Sequence, residues 1–111
     1  MNFLNVFEER IAAIFNATPE GYTAPFSFKK LAKRAAREME NETFVIDGVD
    51  TAPGLYTILV SADDDAYMRP LYGDLTSEIA KFIEGQANKK GYVFTGKPLV
   101  RFMVDPSLKR G

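Results

Sequence analysis

Residues 55–62 read Leu-Tyr-Thr-Ile-Leu-Val-Ser-Ala, a nearly unbroken apolar run without a single charge. A strand with one wet face alternates apolar and polar residues. A run that does not alternate predicts a strand buried on both faces, or one at the centre of a sheet. The remaining sequence must therefore pair with this strand and cover it. The whole chain has 111 residues, about one domain's worth.

The flanking segments supply candidates. Leu4, Phe7, Ile11, Ile14 and Phe15 recur at helical spacing, with Glu8, Glu9 and Arg10 between them. The stretch from Asn16 to Pro25, with Thr18-Pro19 and Gly21, ends that helix. A second helix starts at Ser27, whose hydroxyl fits an N-cap. Phe28, Leu31, Ala32, Ala35, Ala36 and Met39 form its apolar stripe. At about 100° per residue the cations fall on the opposite arc. Thr43–Ile46 predicts a strand, followed by turn chemistry at Asp47-Gly48 and Pro53-Gly54. This strand and the apolar run are expected to pair as an antiparallel hairpin. Asp63, Asp64 and Asp65 then read as a short acidic loop. A third helix is expected over about 69–89, on the stripe Leu71, Leu75, Ile79, Phe82 and Ile83, with Gly91 as its stop. Tyr92–Thr95 reads as a short extended piece, and Leu99–Val104 as the last strand, ended by Asp105-Pro106.

Helices and strands mix without regular βα alternation, so the expected class is α+β, in the order ααββαβ. The apolar run, third helix and last strand form a possible βαβ crossover. A small three-stranded mixed sheet with helices packed on one face is the economical arrangement, and it is KH-like. The expectation is a single domain over residues 1–111, with 105–111 as the start of a linker.

Composition narrows the chemistry. The chain has no Cys and no His, which excludes disulfides, thiolate zinc sites, a Ser-His-Asp triad and a histidine pH switch. With 14 basic and 15 acidic residues the net charge is -1, so overall charge gives no push toward nucleic acid or anionic membrane. The N-terminal segment carries charge inside its apolar pattern, unlike a signal peptide, and no apolar stretch approaches the length of a membrane span. The expectation is a cytoplasmic chain that is not an enzyme and carries no cofactor or metal.

One feature resists the neutral average. Lys29, Lys30, Lys33, Arg34 and Arg37 form a cationic arc with no interleaved acid. It is either a partner surface, for an acidic protein, a phosphorylated segment or RNA, or a solvated face. RNA binding in a KH-like frame needs a Gly-x-x-Gly backbone clamp, and no such spacing occurs. Asp63–Asp65 lack the alternate spacing, central Gly and closing Glu of a calcium loop; acids there favour the positive end of the following helix. Glu38 and Glu42 lie at a helix end, with no pocket to make them a general acid and base.

The chain resembles the N-terminal domain of FhaA-type proteins, bacterial proteins that also carry a forkhead-associated domain. The resemblance rests on four motifs: Arg37-Glu38-Met39-Glu40, Ala52-Pro53-Gly54-Leu55-Tyr56-Thr57 with Ser61-Ala62-Asp63 beyond it, Gly91 to Pro98, and Asp105-Pro106-Ser107-Leu108. Gly54 departs from the family pattern, which has Asn there. The resemblance implies a non-catalytic interaction or scaffolding module in signalling around cell-wall synthesis. It implies serine/threonine protein kinases or cell-wall synthesis proteins as partners, which would recruit the chain to the inner face of the membrane. A forkhead-associated domain would follow a linker. Its phosphothreonine-reading motifs, a Gly-Arg pair, Ser-x-x-His and an Asn-Gly turn, do not occur in this chain. A KH-like nucleic-acid-binding domain and a dimerisation domain are the alternatives.

Overall fold

A computed structural model describes residues 3–18 and 24–109. Helix α1 spans Phe3–Asn16 and α2 spans Phe28–Asn41. Strands β1 (Phe44–Ile46), β2 (Val49–Thr51) and β3 (Leu55–Val60) follow. Helix α3 (Ala62–Met68), a 3-10 turn (Arg69–Leu71), helix α4 (Tyr72–Lys90) and strand β4 (Leu99–Val104) complete the order. The class is α+β, as expected. The Gly21 region of the expected interhelical break lies outside the described residues.

The helix boundaries follow from local chemistry. The Ser27 hydroxyl caps α2 by accepting the Lys30 N–H at 3.2 Å, which satisfies one of the orphan donors of the first turn. Ser61 does the same for α3, accepting the Asp64 N–H at 3.1 Å. Gly91 stops α4 in the left-handed region, at φ 78. Tyr92 N–H then donates to the Ala87 carbonyl at 2.9 Å and Gly91 N–H to that of Asn88 at 3.2 Å, the paired bonds of a Schellman ending.

Three expectations are corrected. The acidic loop is the first turn of a separate helix, α3. Its three aspartates stand at the positive end of the helix, and Ser61 nucleates it. The hairpin is also smaller than expected. Asp47 and Gly48 both take positive φ, 52 and 79, as the central pair of a two-residue hairpin turn requires. The chain therefore doubles back at once, and Phe44–Ile46 pairs antiparallel with Val49–Thr51. Strand β3, freed from that pairing, runs parallel to β4 from Leu55↔Leu99 to Val60↔Val104, with α3 and α4 in the crossover between them. The single three-stranded sheet is consequently replaced by two two-stranded sheets. A single parallel bridge, Thr51↔Val93, ties β2 to the stretch after α4 that was expected to be extended.

The core forms where the helical stripes converge on one sheet face. Phe7, Ile11 and Phe15 of α1, Ala32 and Met39 of α2, and Leu75, Ile79, Phe82 and Ile83 of α4 are buried together with Tyr56, Val60 and Val100. Phe7 and Phe82 hold their ring centroids 5.1 Å apart, and Phe15 and Phe28 are 5.8 Å apart, within the favoured range for tilted rings. Ion pairs fasten the rim: Arg10 with Glu78 at 3.8 Å, and Lys90 with Glu40 at 2.8 Å.

Strand β3 is not buried on both faces. Tyr56 and Val60 point into the core, while Leu55, Thr57 and Leu59 are exposed, Leu59 at 54 %. On the same outer face β4 exposes Leu99 and Met103. Among the described residues, helices cover one face of this sheet only.

Candidate functional site: the two sides of helix α2

Every residue of the cationic arc is exposed, but the helix turns the arc in two directions. Lys30 and Arg34 line a groove of ≈ 740 Å³ between α2 and β3. Lys29, Lys33 and Arg37, one residue earlier at each turn, do not line it. Lys29 Nζ lies 3.9 Å from Glu8 Oε1 of α1, a loose contact between an exposed lysine and a half-buried glutamate. Among the described residues no carboxylate lies within ion-pair distance of Lys33 or Arg37.

The groove contains more than the arc. Leu31 and Ala35 form its apolar wall on α2, opposite Leu55 to Leu59 of β3, and Glu38 and Glu42 extend the helical wall beyond Arg34. These carboxylates, which the sequence places at a solvated helix end, share a groove with the basic residues. Leu31 is half-buried rather than core, because it lines this gap while Ala32 and Met39 are enclosed in the core.

Tyr56 is 8 % exposed and lines the groove, and its hydroxyl has no hydrogen-bond partner among the described residues. Burial pushes its pKa up to about 12, since a phenolate cannot be solvated there. Sequence reasoning assigned this tyrosine to the core, and no local signal separates a satisfied hydroxyl from an orphaned one.

The groove is also bounded by an unpaired sheet edge. Leu99 N–H donates to the Gly54 carbonyl at 2.7 Å and Asp105 N–H to that of Val60 at 2.8 Å. In a parallel ladder this alternation commits the even-numbered residues of β3 to β4. Leu55, Thr57 and Leu59 therefore direct their backbone groups to the other edge, where no strand pairs with them among the described residues.

A separate polar cluster pins the crossover. The Asp65 carboxylate accepts from Arg69 Nη2 at 2.6 Å and from the Tyr72 hydroxyl at 2.7 Å. Both bonds hold the Asp65 carboxyl below its ordinary range. Tyr72 in turn stacks on Phe102 of β4, centroids 4.4 Å apart. The cluster joins α3, α4 and β4, and both Asp65 oxygens are used within it.

This architecture defines an α+β domain with a parallel strand pair bridged by two helices and an amphipathic, strongly charged helix along one strand. The chain belongs to the family described as FhaA, N-terminal domain, which it matches over residues 4–111. It is similar to a solved structure titled "Rv0020c_Nter structure", with a TM-score of 0.69 at 18 % identity, over 89 % of this chain and 70 % of that one. At that identity the likeness concerns the fold. No curated protein matches the chain. Among the described residues no helix is long and apolar enough to cross a membrane.

Proposed function

We propose that the domain is a non-catalytic interaction module that acts as a scaffold in a forkhead-associated-domain signalling protein. Serine/threonine kinases or cell-wall synthesis proteins are its proposed partners, met in the cytoplasm and at the inner face of the membrane. Membership of the FhaA N-terminal family supports the setting. The observation that carries the interaction itself is the outward stripe Lys29, Lys33 and Arg37, exposed on a chain of net charge -1. Cations held in a row on a helix, two of them without a carboxylate partner among the described residues, suit an acidic protein surface and steer its approach. RNA is the weaker reading. The turn between the crossover helices is Arg69-Pro70-Leu71, with no glycine pair through which a backbone could be clamped.

The test is a binding titration of the purified domain against intracellular kinase domains and cell-wall synthesis proteins from the same cell. Lys33→Glu/Arg37→Glu spares the Lys29–Glu8 contact. It should weaken binding at least tenfold, about 1.4 kcal/mol, with an unchanged melting temperature. Wild-type association should slow with added salt. Unchanged binding by the double variant removes this surface from the proposal. Salt-steep binding of RNA in place of protein removes the reading itself.

A further inference from the structure

Three observations converge on the groove between α2 and β3. The first is the free edge. Strand β3 carries no charge and no proline, so it lacks the usual devices that stop an exposed edge from pairing. The second is its symmetry. With backbone groups of Leu55, Thr57 and Leu59 directed outward, an antiparallel copy centred on Thr57 sets Leu55 opposite Leu59 of the other copy. Each of these residues would then exchange both its N–H and its carbonyl across the new ladder. The two exposed leucines would gain a cross-strand neighbour on the outer face.

The third observation selects the occupant. Along the groove wall of α2 the charged residues are Lys30, Arg34, Glu38 and the capping residue Glu42, at four-residue spacing. Two cations are followed by two anions on one stripe. Such a stripe is its own complement when turned end for end. A two-fold axis between Arg34 and Glu38 brings Lys30 to Glu42 and Arg34 to Glu38 of the second helix. A two-fold interface requires this reciprocity, with residue i meeting j and j meeting i. An acidic or a basic peptide would meet half of this wall with like charge. Thr57, Arg34 and Glu38 line the same groove, so one axis can serve the strand and the helix together.

We propose that this face binds a second copy of the chain: β3 pairs antiparallel with β3 of the other copy, the two sheets merge into one, and the α2 helices lie antiparallel beside it, closed by the Arg34–Glu38 and Lys30–Glu42 pairs. The half-buried Leu31, Ala35 and Ile58 at the groove supply its apolar filling. The surface is distinct from the outward stripe Lys29, Lys33 and Arg37, so self-association and acidic-partner binding stand or fall separately.

The experiment is sedimentation of the whole chain over a concentration series, with a charge-swap cycle at exposed positions. Wild-type protein should show a dimer. Arg34→Glu and Glu38→Arg, each of which sets like charges across the axis, should each weaken it at least tenfold. Arg34→Glu/Glu38→Arg restores opposite charges across the axis and should recover the dimer. Circular dichroism melts confirm that each variant is folded. Hydrogen exchange gives a second readout: the amides of Leu55, Thr57 and Leu59 should be protected in concentrated wild-type protein and lose protection on dilution, while those of Tyr56 and Ile58 change less. The proposal is overturned by a wild-type chain that stays monomeric at its highest soluble concentration. It is equally overturned by single swaps that dimerise normally, by a double swap that does not recover, or by a monomer whose β3 edge is instead taken by a strand from another protein.

Discussion

Substituting Met39 and Leu31, eight residues apart on α2, tests how the helix divides between core and groove. Both are apolar and both fall on the stripe that a helical projection assigns to the core. Met39 is 1 % exposed, enclosed in the core. Leu31 is half-buried against the groove. Removing a fully enclosed methionine loses its transfer free energy and leaves a hole that the packed helices close only in part, so Met39→Ala should cost about 3 kcal/mol. Leu31→Ala gives up roughly half of a leucine's burial and opens a space that water already reaches, for about 1 kcal/mol. At about 4 °C per kcal/mol for a domain of this size, the melting temperature should fall by about 12 °C and about 4 °C respectively. Both variants are made in the Arg34→Glu background, so that self-association adds to neither value. Urea unfolding followed by circular dichroism should show the two midpoints separated and a common slope. Equal midpoints, or a larger shift for Leu31→Ala, would refute this orientation of α2 and the groove with it.

Acid should act through the crossover cluster. The folded pKa of Asp65 is lowered first by the Arg69 hydrogen bond and then by that of Tyr72. Its contribution is therefore fully present above the ordinary carboxyl value of 3.8, and is lost as pH falls through the lower folded value. Asp65→Asn should flatten that part of the stability–pH curve measured by denaturant titration; an unchanged curve would show that the network carries no proton linkage. Gly91→Ala should destabilise by about 1 kcal/mol or more, because a β-carbon is strained at φ 78 although the surrounding space is open. A thermal melt equal to wild type would contradict the left-handed stop.

The elements that could be read in advance are those fixed by neighbours in sequence. The stripe of α1, the cap at Ser27 and the stop at Gly91 are local devices, and they stand where the residues put them. Asp47-Gly48 was legible as a turn, but its two-residue loop commits the chain to Val49–Thr51, which has too little apolar character to announce a strand. The outer face of β3 was hidden for a different reason. Leu55 and Leu59 are as apolar as the buried Tyr56 and Val60 on the opposite face, so no period of two shows in the sequence. The groove stayed hidden because Lys30 and Arg34 differ from Lys29 and Lys33 by a single residue step. On a helical projection all of them are simply away from the core. What separates them is the position of β3, a long-range fact. One trace of it is local: the four-residue spacing from Lys30 to Glu42, in which the sign of the charge reverses halfway.

The parallel pairing of β3 with β4 also has a kinetic consequence. Thr57 and Arg101, whose side chains bond across that pair at 2.9 Å, stand 44 residues apart in the chain. The β1–β2 hairpin closes over two residues and can form within microseconds. The parallel pair has no such short cut, since its ends meet only after the intervening chain has been ordered. Winding α3 and α4 shortens that span and carries β4 back toward β3, so the slow step of folding is expected to include α4 packed on β4. Phe102, stacked on Tyr72 at that junction, should then govern how fast the chain folds, while the exposed hairpin around Phe44 affects mainly how fast it unfolds. Until β4 arrives, both edges of β3 are open, and that interval is when a chain with a charge-free strand is most exposed to mispairing with its neighbours.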